Sequence, residues 1–375
     1  MKRGSVKKFF AGGNTIRGFH SLFHYIPAPD AGRLTIIKGG PGTGKSTLMK
    51  QIGQVAQEAG LETEQFYCSS DNESLDGLTI PALGYSILDG TAPHVIDPKI
   101  PGAYDEIINL GDCWDADLLR PHKREIGELI RQNGEWFMQV YQYLREAQTV
   151  MEKLRYFTAQ AMDFAALSKM THRLLSELGA ALPAADGSPR ERHLFGGAIS
   201  PAGLVNFYPS IFQNVERFYF VTGDPGSGKS TLLWQIYDTV KCLGHDTEVY
   251  HCAFDPDRFD AVIVPAINTA FVKVSYPHTF TIPPTQYVKE QYTLALSRHS
   301  RVAELRKSSA ERAENQERFW YLTGKAVEMI RNAKRNHDQL EEFYIRAMDF
   351  SRLAEIRENI IRDVLGQHAQ AVAKK

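Results

Sequence analysis

No stretch of this 375-residue chain approaches the ~20 consecutive apolar residues that a membrane helix needs. A spanning role is therefore not expected. The basic start, Met-Lys-Arg-Gly-Ser-Val-Lys-Lys-Phe-Phe, passes straight into Ala-Gly-Gly-Asn, too short an apolar run for a signal peptide. Charge of one sign is also missing. The chain has 43 Lys and Arg against 44 Asp and Glu, so no global field draws it to nucleic acid or anionic lipid. Cysteine is scarce: Cys68, Cys113, Cys242 and Cys252 form no C-x-x-C pair and have no His at zinc-ligand spacing. A disulfide framework does not suit a chain this long, and free thiols in a reducing cytoplasm are expected. What remains is ordinary globular material, 43% hydrophobic and 23% charged, long enough for two or three domains.

The chain is an internal repeat. Gly39, Gly40, Pro41, Gly42, Thr43, Gly44, Lys45, Ser46 and Thr47 recur 184 positions later as Gly223, Asp224, Pro225, Gly226, Ser227, Gly228, Lys229, Ser230 and Thr231. The same offset aligns Gly60 with Gly244, Cys68 with Cys252, Asp71 with Asp255, Asp76 with Asp260, and Pro93-His94 with Pro277-His278. Phe10–Gly18 resembles Phe195–Gly203, and Ala161-Met-Asp-Phe164 returns as Ala347-Met-Asp-Phe350. The small, Pro- and Gly-containing segment Gly179–Pro189 suits a linker. It divides the chain into residues 1–180 and 190–375.

Leu34–Ile37 and Phe218–Val221 read as buried strands running into the two loops. Each loop leads into a helix that Gly60 or Gly244 ends. Thr63–Cys68 and Thr247–Cys252 alternate like strands, and Tyr85–Leu88 and Ala270–Val272 are further short apolar runs. Strands alternating with helices predict an α/β fold with a parallel sheet and flanking helices in each half. Beyond Pro121, Leu154, Phe157, Ala161, Phe164 and Leu167 form a core stripe at helical spacing, kept in the second half as Leu340, Phe343, Ala347, Phe350 and Leu353. Each half is thus expected to carry an appended helical hairpin, a surface for a protein partner or for self-association.

The repeated G-x-x-x-x-G-K-S pattern carries the chemistry. Glycines let successive backbone N–H groups converge on phosphate oxygens without Cβ clashes, and the following helix adds its positive end. Lys45 would reach the β- and γ-phosphates and Ser46 would ligate Mg²⁺; Lys229 and Ser230 stand ready for the same tasks. With Gly at about 7% of residues, one chance match is rare and two in aligned repeats are rarer.

Asp89, at the end of an apolar run, is either the metal-side acid or a turn residue before Gly90; the second half has Lys273 there. Asp71 is either a catalytic acid for an attacking water or an Asx-turn cap. Asp76 and Asp260 read as structural. The loop from Asp89 to Gly102 holds His94 and Asp97, candidates for substrate contact or proton transfer; His94 reads equally as a satisfied structural histidine. The basic excess over 298–335 reads as a solvated helix face rather than a nucleic-acid surface.

Through both loops the chain resembles the P-loop NTPase superfamily. Through the paired loops, Asp89-Gly-Thr-Ala-Pro-His94 and Tyr67-Cys-Ser-Ser-Asp71 it resembles bacterial tandem P-loop ATPases and nucleotide-kinase-like proteins of undefined substrate. The resemblance spans nearly the whole chain and implies two tandem nucleotide-binding domains, with ATP and Mg²⁺ as ligands. No Leu-Ser-Gly-Gly-Gln motif is present, which argues against a transporter ATPase. No Asn-Lys-x-Asp motif is present either, which favours ATP over GTP. Three readings stay open: ATP hydrolysis, mainly at the Lys45 site; phosphotransfer to a small-molecule acceptor; and a nucleotide-sensing module without turnover.

Overall fold

The computed structural model describes residues 3–27, 31–185, 187–274, 280–283 and 286–373. The first half supplies strands β1 Val6–Phe10, β2 Gly12–Thr15, β3 Gly18–Ser21, β4 Arg33–Lys38, β5 Thr63–Tyr67, β6 Leu75–Ile80, β7 Tyr85–Asp89 and β8 Asp105–Asn109. The second half repeats them as β9 Glu191–Phe195, β10 Gly197–Ser200, β11 Gly203–Asn206, β12 Arg217–Thr222, β13 Thr247–His251, β14 Phe259–Val264, β15 Thr269–Lys273 and β16 Glu290–Ala295. Twelve of these form one sheet in the order β16-β12-β15-β14-β13-β9-β1-β5-β6-β7-β4-β8. The order reads alike from either edge. At its centre β1 and β9 run antiparallel, with Phe10 opposite Phe195, as a two-fold relation between halves requires. A buried bidentate pair crosses near this seam: Arg192 of β9 donates to both Glu64 oxygens of β5, at 2.8 and 2.6 Å. The small hairpins β2–β3 and β10–β11 stand outside the large sheet.

The sheet is mixed, not parallel as the alternation of elements suggests. β6 pairs antiparallel with both β5 and β7, and β14 does the same with β13 and β15. The cause is chain length. Residues 68–74 and 81–84 are too few for a crossover, so β6 must turn back on its neighbours.

Among the described residues six longer helices complete the fold: α1 Lys45–Glu58, α2 Lys123–Ala161, α3 Phe164–Ala181, α4 Lys229–Cys242, α5 Ser309–Ala347 and α6 Phe350–Ala373. None among the described residues is long and apolar enough to cross a membrane. α2 and α5 lie along each other, burying Val140, Leu144 and Ala147 in one cluster with Phe319, Ala326 and Ile330.

The expected appended hairpins are replaced by an exchange. α3, from the first half, packs on α4, with Leu167, Leu174 and Leu178 in one core with Leu232, Leu233 and Ile236. α6, from the second half, packs on α1, with Ile360 and Val364 against Leu48, Met49 and Ile52. The breaks Met162-Asp163 and Met348-Asp349 occupy equivalent places and turn the chain across. The Asp163 N–H donates to the His299 carbonyl at 2.7 Å, and that of Asp349 to the Cys113 carbonyl at 2.6 Å. The Asp163 carboxylate then caps α3 by accepting from the Ala166 N–H at 3.0 Å. Phe164 and Phe350 are consequently not part of a continuous core stripe: each begins a new helix and is half-exposed.

Candidate functional site

The first glycine-rich loop leaves β4 at Lys38 and enters α1 at Lys45. Gly44, just before the helix, has φ 83°, a left-handed conformation that only glycine adopts without strain. A Cβ on Gly42 would lie 2.8 Å from the Glu341 carbonyl oxygen of α5. Glycine here therefore also admits the opposite half's helix. Lys45 Nζ folds back on the loop, donating to the carbonyls of Gly39 at 2.9 Å and Gly40 at 2.7 Å. It also lies 3.6 Å from Asp89 Oδ2. Asp89 is placed by register, since β7 pairs with β4 so that Asp89 faces Ile37. Its Oδ1 accepts from the Thr91 N–H at 2.8 Å. Ser46 Oγ accepts from the Leu75 N–H at 2.9 Å, tying the start of α1 to the start of β6.

Asp76 joins this group. Gly77 pairs with Leu88 across β6 and β7, which sets Asp76 and Asp89 side by side. Burial raises the Asp76 carboxyl well above the ordinary carboxylate range, and the Asp89 charge raises it further. Asp76, structural on the sequence reading, lies beside Asp89 because β6 presents it there.

Asp71 lines the same cavity but is engaged in a turn. Its Oδ1 accepts from the Glu73 N–H at 3.1 Å and its Oδ2 from the Ser74 hydroxyl at 2.9 Å, with Lys334 Nζ 3.4 Å from Oδ2. The arrangement forms an Asx turn and leaves the carboxylate facing a cation of α5. His94 stacks on Phe23, ring centroids 4.3 Å apart, and is 9% exposed. Its Nδ1 makes no hydrogen bond among the described residues. Burial pushes its pKa down to about 4, with the Asp89 charge opposing. Asp97 does not join the site; it pairs with Lys38 at 3.1 Å and points to solvent.

The cavity over this loop measures about 570 Å³ and is walled in part by α5 and α6. Glu341 Oε1 accepts from the Gly42 N–H at 3.3 Å and lies 3.4 Å from His337 Nε2. Lys334, His337, Glu341 and Phe350 were not found from sequence. They lie some 290 to 305 positions from the loop, and nothing local marks them.

The second loop repeats the backbone and changes the charges. Gly228 precedes α4 at φ 96°. Lys229 Nζ donates to the Gly223 carbonyl and, at 2.7 Å, to that of Asp224. Lys273 takes Asp89's place in the register, facing Val221, and forms a buried ion pair with Asp260. Arg155, from α2 of the first half, lies 3.2 Å from Asp255 Oδ2, and Arg258 Nε donates to the same oxygen at 2.7 Å. A Cβ on Gly226 would lie 2.3 Å from the Arg155 carbonyl oxygen. The cavity here is about 390 Å³, with Phe164 on its wall. Burial, and then the like charge of Lys273, push the Lys229 pKa down to about 7. Pro277-His278, the repeat partners of Pro93-His94, lie outside the described residues.

Two histidines give the fold a signed pH dependence. His94 and His251 both have pKa values lowered to about 4, chiefly by burial; at His251 the hydrogen bond to the Pro256 carbonyl opposes this, with Asp260, while the like charges of His193 and His20 add to it. Below the ordinary histidine value near 6.5 the unfolded chain takes up protons that the folded chain refuses. The two histidines therefore cost nothing above that pH and impose a destabilisation that grows as pH falls toward 4. Each effect amounts to up to about 3 kcal/mol. In urea titrations between pH 7.5 and 4.5, His94→Gln and His251→Asn should each flatten the acid-side loss of stability. An unchanged slope in both variants would show that neither histidine is held neutral.

No family model, curated protein or solved structure matches this chain, so its functional reading rests on the geometry of these two loops.

Proposed function

We propose that the chain is a P-loop NTPase of two tandem related domains, 1–180 and 190–375, that binds ATP at both loops and hydrolyses it with Mg²⁺, mainly at the first. The observation that carries this is the convergence of Lys45, Ser46 and Asp89 on one glycine-rich loop, with Lys45 and Asp89 3.6 Å apart. Lys45 exchanges the Gly39 and Gly40 carbonyls for the β- and γ-phosphate oxygens, while loop N–H groups cradle the same phosphates. An oxygen donor set of Ser46 hydroxyl and Asp89 carboxylate, with Asp76 beside it, fits Mg²⁺, which takes one or two carboxylates and completes its shell with phosphate and water. Mg²⁺ bound there would neutralise charge on the phosphates during displacement. Asp71 orients a water, and the half-exposed Phe350 offers a ring for the base. The four free cysteines support a cytoplasmic setting.

Phosphotransfer is the alternative reading. It is favoured by His94, whose neutral ring and Nδ1, unpartnered among the described residues, suit a hydrogen bond to an acceptor hydroxyl. The test is turnover of Mg²⁺-ATP by the full chain, with and without a pool of small metabolites. Phosphate release by protein alone is the expected result. ATP loss without free phosphate, dependent on the pool, would move the reading to a kinase. Tight binding with no turnover would move it to a nucleotide sensor.

A further inference from the structure

We propose that the second loop holds its polyphosphate as a bare anion, without a divalent cation, using fixed cations of the protein in the metal's place. The inference rests on both loops being phosphate sites and asks how each neutralises its ligand.

The two cavities differ in kind. The first is lined by five carboxylates and three lysines; the second, taken with the space that adjoins it over Ser230 and Thr231, by Arg155, Lys229, Arg258 and Lys273 with Glu152, Asp255 and Asp257. Of the donors offered to Mg²⁺ in the first site, the second keeps only the hydroxyl, Ser230. The place of Asp89 is taken by Lys273, and the acid at the place of Asp76, Asp260, is consumed in the ion pair with that lysine. Other acids near Ser230 are also engaged. Asp255 is held by both Arg155 and Arg258, and Asp257 by Arg17. Glu152 is exposed and takes a hydrogen bond from Gln148.

A divalent cation entering here would meet the Lys273 ammonium where the first site offers a carboxylate. A phosphate chain meets the opposite: two buried lysines, Lys229 and Lys273, and two partly exposed arginines that Asp255 already orients. The arginines suit forked contact with phosphate oxygens, and their positions are fixed through Asp255 before any ligand arrives. Arg155 comes from α2, so this site is completed by the first half of the chain.

The experiment is calorimetry on the full chain with ATP and, separately, inorganic triphosphate, each in excess Mg²⁺ and in EDTA. The wild-type protein should bind two ATP per chain in Mg²⁺, and in EDTA one of the two sites should weaken while the other does not. Lys45→Ala should retain a site whose affinity is equal or greater in EDTA. Lys229→Ala should retain a site that loses roughly tenfold or more in EDTA, the scale of one charged contact. Equal binding of inorganic triphosphate to Lys45→Ala would assign the recognition to phosphates alone; binding of ATP only would add the nucleoside. A site in Lys45→Ala that requires Mg²⁺, or two sites lost together when EDTA is added to wild type, would overturn the proposal and leave the phosphate-loop reading standing. No binding by wild type in either buffer would remove that reading itself.

Discussion

Lys45→Ala is expected to lower kcat/KM for Mg²⁺-ATP turnover by about 10²–10³-fold, the usual cost of removing one charged or oriented donor from a transferring phosphoryl group. The side chain is mostly buried, 12% exposed, and its present partners are two loop carbonyls and Asp89. Those carbonyls belong to a loop open to its cavity, so water can replace the ammonium, and the fold should persist. Lys229→Ala should cost turnover far less, because the second loop faces Lys273 where the first faces Asp89. Steady-state phosphate release by the two single variants decides this. Equal losses, or a larger loss from Lys229→Ala, would place the chemistry at the other loop. Unaltered affinity in the double variant would dismiss both loops as phosphate sites.

Local physics was legible in the sequence. Apolar runs placed β4, β7, β12 and β15, and the glycines ended α1 and α4 where expected. The repeat offset paired Asp89 with Lys273, and the strand registers set them at the same place in each half. What escaped was everything that depends on distant contacts. β6, Leu-Asp-Gly-Leu-Thr-Ile, is buried on both faces and so lacks an apolar–polar alternation, and its Asp76-Gly77 reads as a turn; yet it fixes the mixed sheet and presents Asp76. The stripe from Leu154 to Leu167 was read as one helix face. Asp163 caps a new helix within it, which turns Phe164 out toward the second cavity. Asp97 stood out for composition alone; Lys38, at the end of β4, claims it. Lys334 and Glu341 could be assigned to a helix but not to the first loop, because only the exchange of α5 and α6 brings them there.

The exchange makes a second large effect testable. Fragments 1–185 and 187–375, expressed separately, should each fail to unfold cooperatively, and mixing them should restore a one-to-one complex with turnover. Without its partner the first fragment would expose Leu48, Met49 and Ile52 where α6 had covered them, together with Leu167, Leu174 and Leu178 of α3. It would also expose the α2 face that α5 buries. At about 1.5–3 kcal/mol for each large aliphatic side chain returned to water, the six side chains named amount to roughly 9–18 kcal/mol, as much as the roughly 5–15 kcal/mol that holds a typical domain folded. The Arg192–Glu64 pair weighs little in this comparison, because separation returns both charges to solvent rather than stranding one in the interior. The apolar seams, not the ion pair, therefore set the outcome. Far-UV circular dichroism and urea titration of each fragment, then of the mixture, measure it. A first fragment that melts cooperatively alone and binds ATP as tightly as the full chain would mean that α1 and its loop do not need α6. The two sites would then be independent units, and the reach of Arg155 and Glu341 across the chain would be a matter of packing only.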